Sequence, residues 1–157
     1  MCAALAGFVP TAPEPAAAAF PRGPEHSALV ALSSTRAGVR PVTLSLELGY
    51  EMQCGYPGPG PLRIQLPPQV RLPATLPRSA LLVDGRAASS AALSGHTLEL
   101  GLALPPRVMC DVIGPGRLTI VLGRAADVGN PLRAGTYTLA AAVAGSSFSA
   151  RFTIRPS

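Results

Sequence analysis

Hydrophobic and polar residues alternate one for one along several short stretches of this chain. Val42, Leu44, Leu46, Leu48 and Tyr50 are interleaved with Thr43, Ser45, Glu47 and Gly49, and Leu98, Leu100, Leu102 and Leu104 obey the same rule. The last stretch does so twice. Tyr137, Leu139, Ala141 and Val143 alternate with Thr136, Thr138, Ala140 and Ala142, then Phe148, Ala150, Phe152 and Ile154 with Ser147, Ser149, Arg151 and Thr153. A period of two sends successive side chains to opposite faces of a strand, so each stretch predicts one face in a core and the other toward water. Ala144-Gly145-Ser146-Ser147 supplies the small residues that join the last two as a hairpin.

Shorter apolar segments predict further strands at Leu29 to Leu32, Leu62 to Leu66, Ala80 to Val83, Val108 to Ile113 and Leu118 to Leu122. Between them stand turn formers. Asp84-Gly85 is the strongest, because a type I′ hairpin turn needs positive φ at both central residues. Ser94-Gly95, Pro105-Pro106, Pro115-Gly116, Asn130-Pro131 and Ala134-Gly135 punctuate the rest. Gly55 to Pro61 holds three prolines and three glycines and cannot be regular structure. The total of about eight or nine strands at this turn spacing predicts an all-β fold, a two-sheet antiparallel sandwich. No internal repeat is present.

The organisation expected is a leader over residues 1–19, a linker over 20–27 and one sandwich domain over 28–157. Cys2 to Val9 is apolar and Ala16 to Ala19 offers small residues, but no basic start precedes them. The pattern suits the tail of a secretion signal beginning upstream of Met1, with an Ala/Pro-rich disordered leader as the alternative. The run is too short to span a bilayer, so no transmembrane segment is predicted.

Composition agrees with strands and turns. The chain has 18 Pro, 16 Gly and no Trp, and 13% charged residues against a typical quarter. All 13 basic residues are Arg, and the net charge is +5. A basic balance raises nucleic acid or an anionic surface as partner. The arginines are nevertheless scattered singly along the sequence with few aromatics among them, so no nucleic-acid footprint is predicted.

Asn130-Pro131 followed by Ala134-Gly135-Thr136-Tyr137-Thr138-Leu139 resembles the lead into a late strand of immunoglobulin-like β-sandwich modules of bacterial secreted and cell-surface proteins. The likeness extends with lower specificity over roughly Val42 to Ile154, through Ile64-Gln65-Leu66-Pro67, Leu72-Pro73, Leu81 to Gly85 and Ser94 to Leu98. It implies a non-enzymatic, extracytoplasmic module and brings no catalytic residues. It also implies that Asn130, Pro131 and Gly135 shape a structural turn and that Tyr137 is a tyrosine corner, its hydroxyl bonded back to the preceding loop. Leu139 stands where antibody domains carry a cysteine.

Cys54 and Cys110 each end a strand pattern beside turn formers, which predicts a disulfide in an oxidising compartment. Closing that loop is worth about 4 kcal/mol at most in the chain-entropy model. Two buried free thiols are the alternative, and Cys2 falls in the leader. No metal or other cofactor is predicted: His26 and His96 lack ligand spacing, and Asp127 with Asn130 falls short of the six oxygens calcium wants. His96 reads as an exposed turn residue and Asn130 as an Asx-type turn.

No nucleophile elbow or phosphate-cradling loop is present. The function predicted is a structural or binding module acting through its loops on a protein or envelope component. The alternative is a small hydrolytic or carbohydrate-active domain using two of Glu47, Glu51, Glu99, Asp84 and Asp111. A third possibility is assembly through a long sheet edge lacking Pro and charge.

Overall fold

The computed structural model describes residues 27–52, 61–102, 114–143 and 146–157; residues 50–52 and 114–116 enter as strand backbone only. Ten strands lie within these residues. They are β1 (Ser27–Leu32), β2 (Leu44–Met52), β3 (Leu62–Gln65), β4 (Leu81–Val83), β5 (Arg86–Ala87), β6 (Ala91–Ser94), β7 (Thr97–Leu100), β8 (Gly114–Leu122), β9 (Gly135–Val143) and β10 (Ser146–Ile154). Two five-stranded sheets result, ordered β1-β2-β8-β4-β5 and β10-β9-β3-β7-β6, and every pairing inside them is antiparallel. The chain is an all-β, two-sheet antiparallel sandwich.

Alternation decides which side chains meet between the sheets. Leu44, Leu46 and Leu48 of β2 and Leu118, Ile120 and Leu122 of β8 face Leu62, Ile64, Leu98, Leu100, Leu139, Ala141 and Phe152 of the other sheet in one buried cluster. In β10, Phe148, Ala150, Phe152 and Ile154 are buried while Ser147, Ser149, Arg151 and Thr153 are exposed. Each fully buried aliphatic side chain contributes about 1.5–3 kcal/mol.

Asp84 (φ 49°) and Gly85 (φ 74°) turn β4 into β5 with both central residues left-handed, as the dipeptide predicts. The Asp84 carboxylate also accepts the Thr119 backbone N–H at 2.8 Å, tying the turn to β8. The final hairpin is tighter than its sequence suggests: β10 begins at Ser146, paired with Val143, so Ser146 and Ser147 belong to the strand.

Strands β5 and β6 exceed the number expected. Ala87 to Ser94 is made of Ala, Ser and one Leu, with no β-branched residue to signal a strand. It becomes extended because β4 and β7 each offer a free edge and this segment crosses from one to the other: Ala88 N–H donates to Leu81 (2.9 Å), and Gly101 N–H to Ser90 (2.9 Å).

After β1 the chain leaves its sheet and crosses toward the end of β10. Arg36 forms a parallel bridge with Arg155, held by Ala37 N–H to Arg155 carbonyl (2.9 Å) and Arg155 N–H to Thr35 carbonyl (2.7 Å). The edges β1 and β10 therefore share one side of the sandwich.

Candidate functional site

The distinctive sequence around Asn130 lies at one end of the sandwich, where the 33–43, 66–76 and 123–134 loops converge. Asn130 is its centre and the one buried polar side chain among the described residues, 2% exposed. Its amide nitrogen donates to the carbonyls of Ser34 and Arg36, both at 2.8 Å, which also fixes which end of the amide is nitrogen. Its backbone N–H donates to Val39 (2.9 Å). The side chain thus reaches a distant loop instead of closing the local Asx-type turn expected from sequence, because a buried amide must find partners and the 33–43 loop supplies them.

Two arginines complete the clasp. Arg71 donates to the carbonyls of Gly38 and Asn130, and its backbone forms a two-way bridge with Gly129 (2.9 and 2.8 Å). Arg40 meets the Asp127 carboxylate bidentately, Nε to Oδ1 at 2.9 Å and Nη2 to Oδ2 at 2.6 Å. Gly129 leaves room for both: a Cβ there would sit 3.0 Å from Arg71 Nη2 and 3.1 Å from Arg40 Cβ. With its carboxylate held by Arg40 and the Asn130 amide donating into carbonyls, the Asp127–Asn130 loop offers no converging oxygen set.

Pro131 is buried, and its carbonyl accepts the Gly38 N–H at 2.9 Å. Gly135 opens β9 at φ +157°, where an L side chain is disfavoured, and a Cβ there would sit 3.7 Å from the Tyr137 ring. Tyr137 stacks on Phe152 (centroids 5.8 Å apart, planes at 29°) and donates its hydroxyl proton to the Arg133 carbonyl four residues upstream at 2.8 Å. Asn130 and Pro131 are bonded to the 33–43 loop, and Tyr137 is bonded to Arg133 just ahead of β9. Leu132 is 71% exposed.

Two carboxylates of the hydrolytic alternative, Glu47 and Glu99, are held apart. Glu47 on β2 pairs with Arg117 (3.1 Å), and Glu99 on β7 pairs with Arg63 (3.0 Å). They lie on the outer faces of different sheets with the whole core between them, an arrangement that cannot flank one scissile bond. Asp84 is bonded in its turn. Asp111, His26, Cys54 and Cys110 lie outside the described residues, as does the Glu51 side chain, so neither the disulfide nor those carboxylates are placed. His96 is half-buried, not exposed: its Nε2 lies 3.1 Å from the Val70 carbonyl, drawn inward as the 66–76 loop folds over the β6–β7 turn.

Among the described residues no group of three or more His, Cys, Asp or Glu gathers as a metal site, and no helix is long and apolar enough to cross a membrane.

No protein-family profile and no curated protein matches the chain. Among solved structures it is similar to BslA, a bacterial hydrophobin, at 19% identity over 85% of this chain and 98% of that one, with a TM-score of 0.48. A second likeness is to the structure of manganese lipoxygenase of Gaeumannomyces graminis with partial zonadhesin of Komagataella pastoris. There the identity is 12% over 83% of this chain and 45% of that one, with a TM-score of 0.41. With both scores under 0.5, neither likeness extends to family or function.

Proposed function

We propose that the chain is an immunoglobulin-like, extracytoplasmic module with a structural or binding role and no catalysis of its own. The observation that carries this reading is how its polar groups are used. Asn130, Arg71, Arg40, Asp127 and Tyr137 hold loops to the sandwich, and Glu47 and Glu99 are ion-paired on opposite outer faces. That is the chemistry of a rigid scaffold presenting surfaces.

Strand order supports the immunoglobulin-like part. β1-β2-β8-β4 and β10-β9-β3 follow the A-B-E-D and G-F-C orders of constant-type domains, with β5 and the β6–β7 hairpin inserted between D and E. Tyr137, near the start of the F-like strand, has the hydrogen bond of a tyrosine corner. Capture of envelope or culture-supernatant components on immobilised protein tests the role. The expected result is a specific component whose capture survives Glu47→Gln and Glu99→Gln. A hydrolytic activity abolished by either substitution would overturn the reading.

The export part of the reading rests on the disulfide expected of Cys54 and Cys110 in an oxidising compartment. Intact mass of protein from its own host, under non-reducing conditions, should be lower by two hydrogens. Free alkylation of both thiols would count against export.

Assembly through a sheet edge is a second reading with its own observation. β1, Ser-Ala-Leu-Val-Ala-Leu, is a six-residue edge strand without Pro or charge, and Leu29 on it is 66% exposed. The Ser33 N–H to Thr43 bond (3.0 Å) continues its ladder to β2, so by antiparallel alternation the backbone groups of Ala28, Val30 and Leu32 point away from β2. Light scattering of the purified protein, with Leu29→Lys as the disrupting variant, decides it: a monomer at all concentrations sinks the idea.

A further inference from the structure

Three side chains that sequence scatters are gathered by the fold. Arg151, on β10, and Arg155, just past its end and four positions further on, are both exposed with Thr153 between them, at the edge of their sheet. Strand geometry puts their Cα atoms about 13 Å apart. Arg36 is the bridge partner of Arg155, so the two guanidinium stems leave neighbouring backbones on one face, about 5 Å apart. All three residues are exposed, and none has an ion pair among the described residues.

Three other described arginines are paired with acids. Arg63 faces Glu99 directly across β3 and β7, Arg117 reaches Glu47 diagonally, and Arg40 has Asp127. Beside Arg155 the fold puts a second arginine. Like charges at neighbouring strand positions repel, and an anion between them removes that cost while meeting two planar donor forks suited to carboxylate or sulfate.

From this we infer that the β10 edge, through Arg36, Arg151 and Arg155, is a docking track for an acidic polysaccharide; the inference rests on the binding-module reading above. Sugar is favoured over nucleic acid by what surrounds the arginines. Thr153, Thr136, Thr138 and Ser149 offer hydroxyls on the same face, with Thr136 and Thr153 opposite one another and their Oγ1 atoms 3.3 Å apart. The neighbouring ring, Tyr137, is stacked against Phe152 and bonded at its hydroxyl, so it provides no platform for a base.

The test is retention of the purified full chain on immobilised polygalacturonate and heparin, with neutral dextran and an oligo-dT strand as comparisons, across a salt series. Two double variants remove equal charge: Arg151→Ser/Arg155→Ser in the track, and Arg78→Ser/Arg86→Ser at the far β4–β5 edge. Circular dichroism checks that both remain folded. Retention by an acidic polysaccharide, weakened about tenfold or more by the track variant and little by the other, is the expected result. Equal weakening by both variants, or tighter retention on oligo-dT, overturns the inference. Failure to bind either acidic polysaccharide while an envelope protein is still captured also overturns it, and leaves the binding-module reading standing.

Discussion

Replacing Asn130 by alanine separates a structural clasp from a loop with other duties. The substitution removes two side-chain hydrogen bonds of 2.8 Å and leaves the carbonyls of Ser34 and Arg36 without that donor in a site where Asn130 is 2% exposed. Each lost bond costs about 1 kcal/mol net, and an orphaned buried carbonyl adds about 1–3 kcal/mol. Ser34 is half-buried but Arg36 is exposed, so water can reach the second carbonyl and only one orphan counts in full. The total is about 3–5 kcal/mol. For a domain of this size 1 kcal/mol moves Tm by about 2–4 °C, so the midpoint should fall by about 6–20 °C. Thermal unfolding followed by circular dichroism reads this directly, and urea unfolding with an unchanged m-value shows that the native state has not expanded. Tyr137→Phe loses one bond to the Arg133 carbonyl with the ring still stacked, and should cost about 0.5–1.5 kcal/mol. An Asn130→Ala midpoint within 2 °C of the parent, or a smaller effect than Tyr137→Phe, would refute the idea that this amide holds the loops.

Other consequences of the geometry can be measured the same way. A double-mutant cycle on Arg40 and Asp127, whose side chains are 33% and 51% exposed, should give a coupling of about 0.2–1 kcal/mol that shrinks in high salt. Leu46→Ala, at a fully buried position of β2, should lose about 2–5 kcal/mol in urea unfolding; a loss under 1 kcal/mol would mean that this side chain does not pack between the sheets. Gly135→Ala forces a Cβ onto a φ of +157° and should cost about 1–3 kcal/mol, and an unchanged midpoint would show that the β9 lead-in relaxes freely.

How far sequence reached differs from element to element. In β2, β7, β9 and β10 strict alternation told inside from outside, and Asp84-Gly85 announced its turn, because both signals are local properties of a few consecutive residues. Ala87 to Ser94 gave no such signal: its small residues become β5 and β6 by covering edges that β4 and β7 leave open. Asn130 could be flagged for its neighbours but not for its role. Its two acceptors belong to a loop nearly a hundred residues earlier, at separations of 96 and 94.

By itself, the sequence determined the strand class, the aliphatic inner faces and the positions of the turns, because a period of two and a positive-φ dipeptide need no knowledge of distant chain. It said which face of a strand is wet and nothing about which strand lies beside it. Only the tertiary structure decided that Glu47 and Glu99 stand on opposite outer faces, and that Arg36 neighbours Arg155. Neighbourhood in a sandwich is set by the order of strands in a sheet, and that order comes from the packing of the whole core, not from any one stretch of residues.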